Sequence, residues 1–266
     1  MNPPVKLKWI YALMVVFIIL IGVQMSMYIV SLTRDDGLQS AIVNYSIVSI
    51  VIGYTLIRMI WRILTQTYLS WKWHKHFRSS QHVKLTKRLA YKYRSLRTDI
   101  LVVRDEAFVA LTIGIRRPTI VVSSAVLDIF SDDEVRAIVL HEWHHCRNRD
   151  NVKLLLMRLL TEGFGYFPIM SPIFRYYQTW MELLADRFAI RHMRTELPLA
   201  SVLLKLSKLR PSRQHEAAVH FATTTMHYRI AQVLEPNKTV KVKVALLRPL
   251  LISLSLLLLL MLGGDS

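Results

Sequence analysis

Residues 141–145, His-Glu-Trp-His-His, constrain the fold of this chain more than any other stretch. Residues four apart on a helix lie one above the other, so His141 and His145 can direct their ring nitrogens toward one ion. Glu142 would lie beside that ion, close to its open position. The spacing has this meaning only on a helix.

The residues just before this stretch predict such a helix. Ser131 followed three positions later by Glu134 is the pattern of a capping box. Val135, Ile138 and Val139 then recur at helical spacing. The histidine pair is therefore predicted to lie inside a helix that begins near residue 131.

A catalytic zinc ion usually has three protein ligands and one water, so a third donor must come from elsewhere in the chain. Glu182 is the candidate, within a second helical pattern at residues 180–188. Asp186 falls one turn beyond Glu182 on the same face and is expected to orient a ligand histidine. The sequence thus predicts a Zn2+ site made by His141, His145 and Glu182.

HExxH followed by Glu-x-x-Ala-Asp resembles the membrane metallopeptidases of the gluzincin type. Two groups share this pattern. One is the zinc-protease module of the β-lactam sensor-transducers, the BlaR/MecR family, and the other comprises the CAAX prenyl-protein and heat-shock membrane proteases. The resemblance covers roughly residues 99–234. It implies three roles for five residues: zinc ligation by His141, His145 and Glu182, general-base catalysis by Glu142, and outer-shell support by Asp186.

The same resemblance suggests a role for Arg229, in His-Tyr-Arg-Ile at residues 227–230. This matches the Arg-Ile element that follows the third ligand, so Arg229 would support the active-site carboxylates or a developing oxyanion. An exposed basic residue on a helix is the alternative. His220 and His227 are further candidates for an oxyanion contact, against an ordinary surface or core role.

Three short β-rich runs, at residues 100–103, 108–113 and 119–122, predict a small sheet. In the resembling families an edge strand binds the substrate in extended form through its main chain. The matching residues here are Phe108, Val109, Ala110 and Leu111. A sheet that only packs on the catalytic helices is the alternative.

The chain is 53% hydrophobic with positive mean hydropathy, which predicts a membrane protein. Three transmembrane helices are predicted, at residues 9–30, 41 to about 64, and 244–262. The nearly apolar residues 154–173 are instead predicted to form a helix, a break at Gly163-Phe164-Gly165 and Pro168, and a return. A crossing there would separate His145 from Glu182.

The predicted fold is mainly α, with three transmembrane helices and a cytosolic α+β zincin-like domain that carries a small sheet. The predicted domains are a transmembrane hairpin at 1–64, a metallopeptidase domain at 65–243 and a transmembrane helix at 244–266. Basic residues before the first span and from Arg58 onward place the amino terminus and the site in the cytoplasm. The single Cys146 agrees with a reducing compartment.

The net charge of +17 raises the possibility of a nucleic-acid partner. Nine basic residues lie between positions 71 and 97, interleaved with aromatic ones. Because this segment follows a predicted transmembrane helix, anionic lipid is the preferred partner, and direct nucleic-acid binding is not expected.

The predicted function is that of an integral membrane zinc endopeptidase that cleaves a cytosolic protein. The resemblance implies that the target is a winged-helix transcriptional repressor in a signalling or resistance pathway. The family's extracellular penicillin-binding domain does not occur in these residues, so β-lactam sensing by this chain alone is not expected. The alternatives are a membrane quality-control or CAAX-type prenyl-protein protease, and a non-catalytic membrane scaffold with structural zinc.

Overall fold

Helices make up most of the described chain, and three short strands form one sheet. The computed structural model describes residues 38–208, 216–235 and 245–262, with isolated positions at 12–30, 240 and 242. The helices in these ranges are α1 (Leu38–Ser79), α2 (Val83–Lys92), α3 (Ser124–Ile129), α4 (Asp132–Asn148), α5 (Asp150–Gly163), α6 (Met170–Met193), α7 (Leu197–Lys208), α8 (Glu216–Leu234) and α9 (Leu247–Leu262), with a short 3-10 turn at Arg94–Leu96. The strands are β1 (Asp99–Val103), β2 (Ala110–Ile113) and β3 (Thr119–Ser123). The predicted mainly helical fold with a small sheet is confirmed.

Strand β3 is the middle strand of the sheet, between β1 and β2. It pairs in parallel with β1 and antiparallel with β2. Its residues Ile120, Val121 and Val122 are fully buried, as expected for a run of β-branched residues in a central strand. Strand β2 is therefore an edge strand, as the sequence predicts for this part of the chain.

Helix α4 begins with the predicted capping box. The Ser131 amide donates to Glu134 Oε2 at 2.7 Å, and the Glu134 amide donates to Ser131 Oγ at 3.3 Å. The buried Glu134 carboxylate also accepts hydrogen bonds from Ser201 and Lys205 on α7. Burial alone would raise the pKa of Glu134, but these hydrogen bonds lower it below its ordinary value. The start of α4 is thus fixed both by its own cap and by α7.

Helix α4 is packed on two sides. Val135 and Val139 belong to a core cluster that includes Val102 of β1 and Val122 of β3. Ala137 belongs to a second cluster, with residues of α7 and α8. Because both sides are fixed by packing, the polar residues of α4 are held in a defined position.

The chain divides into two compact units. One contains the described parts of Met1–Gln66, Leu156–Tyr177 and Lys243–Ser266, and the other contains the described parts of Thr67–Leu155 and Gln178–Val242. Within the first unit, Arg62 lies 3.5 Å from Glu162, and the Ile169 amide donates to the buried Ser253 hydroxyl at 3.1 Å. The sheet, α4 and the candidate site all lie in the second unit. The predicted domain limits remain predictions.

The predicted interruption of residues 154–173 is confirmed, since α5 ends at Gly163 and α6 begins at Met170. Within the first unit, a Cβ on Gly163 would lie 2.8 Å from Met59 Cγ. Residue 163 therefore has little room for a side chain, which explains glycine at the end of this helix.

The prediction of three transmembrane helices is wrong. Among the described residues, no helix has both the length and the apolar character that crossing a bilayer requires. Arg58 and Arg62 interrupt the apolar part of α1, and α9 has 16 residues, fewer than the ~20 that usually span the hydrocarbon core. The first predicted span, residues 9–30, lies outside the described residues except at isolated positions.

Candidate metal centre

The three predicted metal ligands meet at one point between α4 and α6. The Nε2 atoms of His141 and His145 are 3.2 Å apart. Glu182 Oε2 lies 3.3 Å from Nε2 of His141, and its Oε1 lies 3.7 Å from Nε2 of His145. One ligand atom from each side chain fits within 4.8 Å of the others. The i, i+4 spacing of the two histidines on α4 and the position of Glu182 on α6 therefore create a compact set of two nitrogens and a carboxylate.

Each histidine faces a second carboxylate with its other ring nitrogen. His145 Nδ1 lies 2.9 Å from Oδ2 of Asp150, a hydrogen-bond contact. His141 Nδ1 lies 2.8 Å from Oδ1 of Asp186. This is a short polar contact in which the ring N–H is not aligned for a regular hydrogen bond. Both aspartates are buried. A carboxylate behind each imidazole is the usual outer shell of a metal-bound histidine.

The arrangement of acceptors fits a bound cation. If both rings are neutral and carry their proton on Nδ1, facing the aspartates, both Nε2 atoms present lone pairs toward each other and toward the Glu182 carboxylate. Such a cluster is stable only when shared protons or a cation lie among its acceptors. Two imidazoles and a carboxylate are ligands that zinc accepts in catalytic sites.

The pKa values of His141 and Glu182 show that these residues favour a protonated imidazole beside an ionised carboxylate when no metal is bound. Burial and the Arg229 guanidinium lower the pKa of His141, but the Asp186 and Glu182 carboxylates outweigh them and raise it to about 10. Burial raises the pKa of Glu182, yet His141 and Arg229 bring it well below its ordinary value. The site is therefore built to hold positive charge beside the carboxylate.

Arg229 on α8 contacts both buried carboxylates of α6. Its Nε and Nη2 donate to the two oxygens of Asp186 at 2.7 and 2.8 Å. Its Nη1 lies 3.2 Å from Oε2 of Glu182. Burial opposes its charge, but the neighbouring Asp186 and Glu182 raise the pKa of Arg229 above its ordinary value. With all three nitrogens in these contacts, the geometry favours support of the carboxylates over a direct oxyanion contact.

Helix α8 is fixed to α6 one turn beyond Arg229. The buried Gln232 donates to the backbone oxygen of Leu183 at 2.8 Å and accepts from Arg187 Nε at 2.9 Å. This amide places α8 so that Arg229 lies opposite Asp186. The side chain of His227 is exposed, and the side chain of His220 lies outside the described residues.

Two residues at this site are missing from the sequence-based prediction, Asp150 and Thr112. Asp150 comes five positions after His145, which is not a helical spacing. It reaches the ring because Arg149 adopts a left-handed conformation with φ 51° and reverses the chain at the end of α4. Thr112 Oγ1 lies 3.0 Å from Glu142 Oε2, and sheet pairing, rather than sequence proximity, brings it there.

A second group of possible ligands, formed by His144, His145 and Asp150, shares residues with the first. His144 Nδ1 is 3.9 Å from Asp150 Oδ2, and its ring instead contacts Asn148 at 2.8 Å. Burial and the neighbouring His145 lower the pKa of His144 to about 4, so this ring is neutral. Since Asp150 already pairs with His145, this group is the outer shell of the first site.

The predicted substrate-binding residues differ in their surroundings. Phe108 packs on Phe130 with the ring centroids 5.6 Å apart, and Val109 is 3% exposed. Both precede β2, whose first residues are Ala110 and Leu111. The structure therefore places Val109 in the core, Phe108 partly buried against it, and Ala110 and Leu111 on the edge strand. A substrate-binding role for the four stays a prediction.

Two imidazoles on one helix and a carboxylate on a second, with a glutamate beside the first imidazole, are a donor set that could hold a divalent metal ion. The chain belongs to the BlaR1 peptidase M56 family, whose family model matches residues 33–233, well over half of the chain. The predicted family resemblance is confirmed. The regulatory protein BlaR1 of Bacillus licheniformis is 26% identical over 122 residues, which are 45% of this chain and 20% of that protein. The matched region thus spans a fifth of that relative's length.

We expect metal binding to depend on both shells of the site. Replacing Glu182 with Gln removes an anionic ligand and should abolish stoichiometric zinc binding, measured by metal analysis after dialysis. Asp150→Asn should weaken zinc affinity roughly 10- to 100-fold, because it disturbs the tautomer and ring orientation of His145. Asp133→Asn, on the exposed start of α4, is the control and should bind zinc normally. Full zinc occupancy in Glu182→Gln would contradict the ligand assignment.

Proposed function

We propose that this chain is a zinc-dependent endopeptidase that hydrolyses peptide bonds within a protein substrate. The main support is the convergence of His141, His145 and Glu182, whose facing nitrogen and oxygen atoms lie 3.2–3.7 Å apart, backed by buried carboxylates. Membership of a peptidase family agrees with this function. Glu142, 8% exposed and adjacent to His141, is the residue best placed to act on a water molecule.

A catalytic site is a better explanation than a purely structural zinc site. Structural zinc normally has four protein ligands, and among the described residues the first cluster offers three. Cys146 follows His145 directly, but its Sγ lies 3.5 Å from Thr112 Oγ1. Burial raises the pKa of the Cys146 thiol to about 11, which disfavours the thiolate that a metal would need. A coordination position is therefore left for water or substrate.

The proposed reaction is the addition of water to a peptide carbonyl followed by loss of the amine. A bound zinc ion would supply Lewis-acid polarisation of the carbonyl and make the water more acidic. Glu142 accepts a proton from the water as the water oxygen forms the new bond to the carbonyl carbon. Glu142 then delivers that proton to the nitrogen as the C–N bond breaks. Arg229 and Asp186 keep Glu182 and His141 in position during these steps.

We propose that the substrate binds in extended form along the open edge of β2. In an antiparallel pair, alternate residues direct their backbone groups away from the partner strand. Val109 is bonded to Ser123 of β3, since the Ser123 amide donates to the Val109 carbonyl at 2.8 Å. The backbone groups of the next residue, Ala110, therefore point to the open edge. An extended peptide that pairs there would bind by strand addition.

The substrate we propose is a cytosolic regulatory protein, and a winged-helix transcriptional repressor is the specific candidate. The support is that the curated relative is named a regulatory protein. The single, buried Cys146 is compatible with a reducing compartment. Cleavage of such a target would convert peptide hydrolysis into a change in gene expression.

Replacing Glu142 with Gln tests the activity and the substrate together. The variant keeps the shape of the side chain but cannot accept the water proton, so the rate of hydrolysis should fall at least about 100-fold with zinc still bound. The measurement compares new peptide termini in the proteomes of cells that express the wild type, Glu142→Gln, or the exposed control Glu106→Gln. Termini that appear with the wild type and the control but not with Glu142→Gln would identify the target. Identical termini with all three proteins would contradict a peptidase function.

We also propose that residues 71–97 bind an anionic lipid surface. All nine basic residues of this segment are exposed: Lys72, Lys75, Arg78, Lys84, Lys87, Arg88, Lys92, Arg94 and Arg97. Exposed aromatic rings lie among them, with Lys75 Nζ 5.4 Å from the Trp71 ring and the Arg94 guanidinium 4.7 Å from the Tyr91 ring. Basic side chains beside exposed aromatic rings suit the interface of an anionic bilayer.

Vesicle sedimentation tests the lipid surface. Binding should be stronger to phosphatidylcholine vesicles that contain phosphatidylserine than to phosphatidylcholine alone, and should weaken with salt. Lys72→Glu with Lys75→Glu should lower affinity for the anionic vesicles by at least about tenfold, given ~1 kcal/mol for each basic residue. Arg116→Glu with Arg117→Glu makes the same charge change at exposed positions outside the segment and should have less effect. Equal binding to both kinds of vesicle would contradict the proposal.

A further inference from the structure

Thr112 on β2 makes a side-chain contact with the proposed general base. Its Oγ1 lies 3.0 Å from Oε2 of Glu142, at the same distance from the Glu142 backbone oxygen, and 3.5 Å from Cys146 Sγ. Among the described residues, Thr112 is the side chain that donates a hydrogen bond to the Glu142 carboxylate. The contact joins a strand to a helix residue thirty positions later in the chain.

The hydroxyl has one proton, and the Glu142 carboxylate is its stronger acceptor. The Glu142 backbone oxygen lies inside α4, where it accepts the regular helical hydrogen bond from the amide four residues later. A carboxylate oxygen is charged and forms the shorter and stronger kind of hydrogen bond. The Cys146 thiol can donate its own proton to Thr112 Oγ1, which leaves the hydroxyl proton for Glu142.

Thr112 is itself held firmly in the sheet. It pairs with Ile120 of the buried strand β3. Its backbone oxygen accepts a hydrogen bond from Asn151 Nδ2 at 3.0 Å, and the same amide donates to the Gly114 oxygen at 3.2 Å. A hydroxyl anchored in this way can fix the rotamer of a neighbouring carboxylate, because its own position varies little.

We propose that Thr112 is a positioning residue that orients Glu142 for proton transfer and links this orientation to strand β2. Its hydroxyl holds Oε2, which leaves Oε1 of Glu142 to accept the proton from water. This inference rests on the proposed peptidase function, because orientation of the carboxylate matters only if Glu142 acts as a base. Since the substrate is proposed to pair with β2, the same strand would position the peptide and the base relative to each other.

The test compares pairs of variants that differ by the hydroxyl alone. Thr112→Val keeps the size and branching of the side chain, whereas Thr112→Ser keeps the hydroxyl. Thr112→Ala is compared with Thr112→Ser, so that the effect of the hydroxyl can be measured even if valine disturbs folding. Thr86→Val is the matched control, because the Thr86 hydroxyl also bonds a strand, at 3.0 Å from the Val102 amide, but lies on α2. Each full-length, zinc-loaded protein is tested for cleavage of a tryptic peptide library from a bacterial proteome.

Loss of the hydroxyl should lower the initial rate of cleavage about 10- to 100-fold, as expected for a hydrogen bond to a charged group at a catalytic base. Thr112→Ser and Thr86→Val should stay within about threefold of the wild type, and all variants should bind one zinc ion. A second readout does not need activity. In urea unfolding, the effects of Thr112→Val and Glu142→Leu should be non-additive, because each variant removes one partner of the same hydrogen bond.

The outcomes separate the two proposals. Wild-type rates in Thr112→Val and Thr112→Ala, with Glu142→Gln inactive, would overturn the positioning role and leave the peptidase function intact. Equal losses in Thr112→Ser and Thr112→Ala would also overturn it, because the hydroxyl would not matter. If the zinc-loaded wild type cleaved nothing, the proposed function would fail, and the urea experiment would still decide the contact. Additive effects on the free energy of unfolding would overturn the proposed contact between Thr112 and Glu142.

Discussion

The fold brings together hydrogen-bond acceptor atoms that would repel one another without a proton or a cation between them. Two imidazole nitrogens lie 3.2 Å apart beside the Glu182 carboxylate, so shared protons or a cation must lie among them. Asp186 and Asp150 behind the rings add negative charge, which Arg229 beside Asp186 and Lys153 beside Asp150 balance in part. Packing of α4, α6 and α8 sustains this arrangement, and a bound divalent cation would relieve it. The electrostatic cost of this arrangement is thus what would favour the binding of a metal ion.

The start of α5 connects the metal ligands with the edge strand. Asp150 holds the ring of His145, and the next residue, Asn151, holds β2 through the backbone oxygens of Thr112 and Gly114. The left-handed turn at the end of α4 makes both contacts possible, because it brings α5 back toward the site. One short stretch of chain therefore contacts both the His145 ring and the strand that carries Thr112. A change there should disturb metal binding and catalysis together.

How much could be predicted from the sequence depends on how far apart the interacting residues lie along the chain. The capping box, the helix of the histidine pair and the choice of Glu182 rest on local periodicity, and the structure places all of them as expected. Asp150 and Thr112 could not be found in this way, because a backbone reversal and sheet pairing bring them to the site. Phe108, expected at the substrate edge, is partly buried against Phe130, and its role in substrate binding stays a prediction. The transmembrane prediction was wrong, because Arg58 and Arg62 interrupt the apolar part of α1 and α9 has only 16 residues, so no helix among the described residues is long and apolar enough to cross a bilayer.

The most direct test of the central claim is anomalous X-ray diffraction at the zinc absorption edge from crystals of the zinc-loaded full chain. One strong peak is expected, with His141 Nε2 and His145 Nε2 about 2.0–2.1 Å from it and a Glu182 oxygen about 2.0–2.2 Å away. Asp186 and Asp150 should remain behind the rings, outside bonding distance of the metal. A peak bound elsewhere, or one that contacts the histidines while Glu182 points away, would contradict the account.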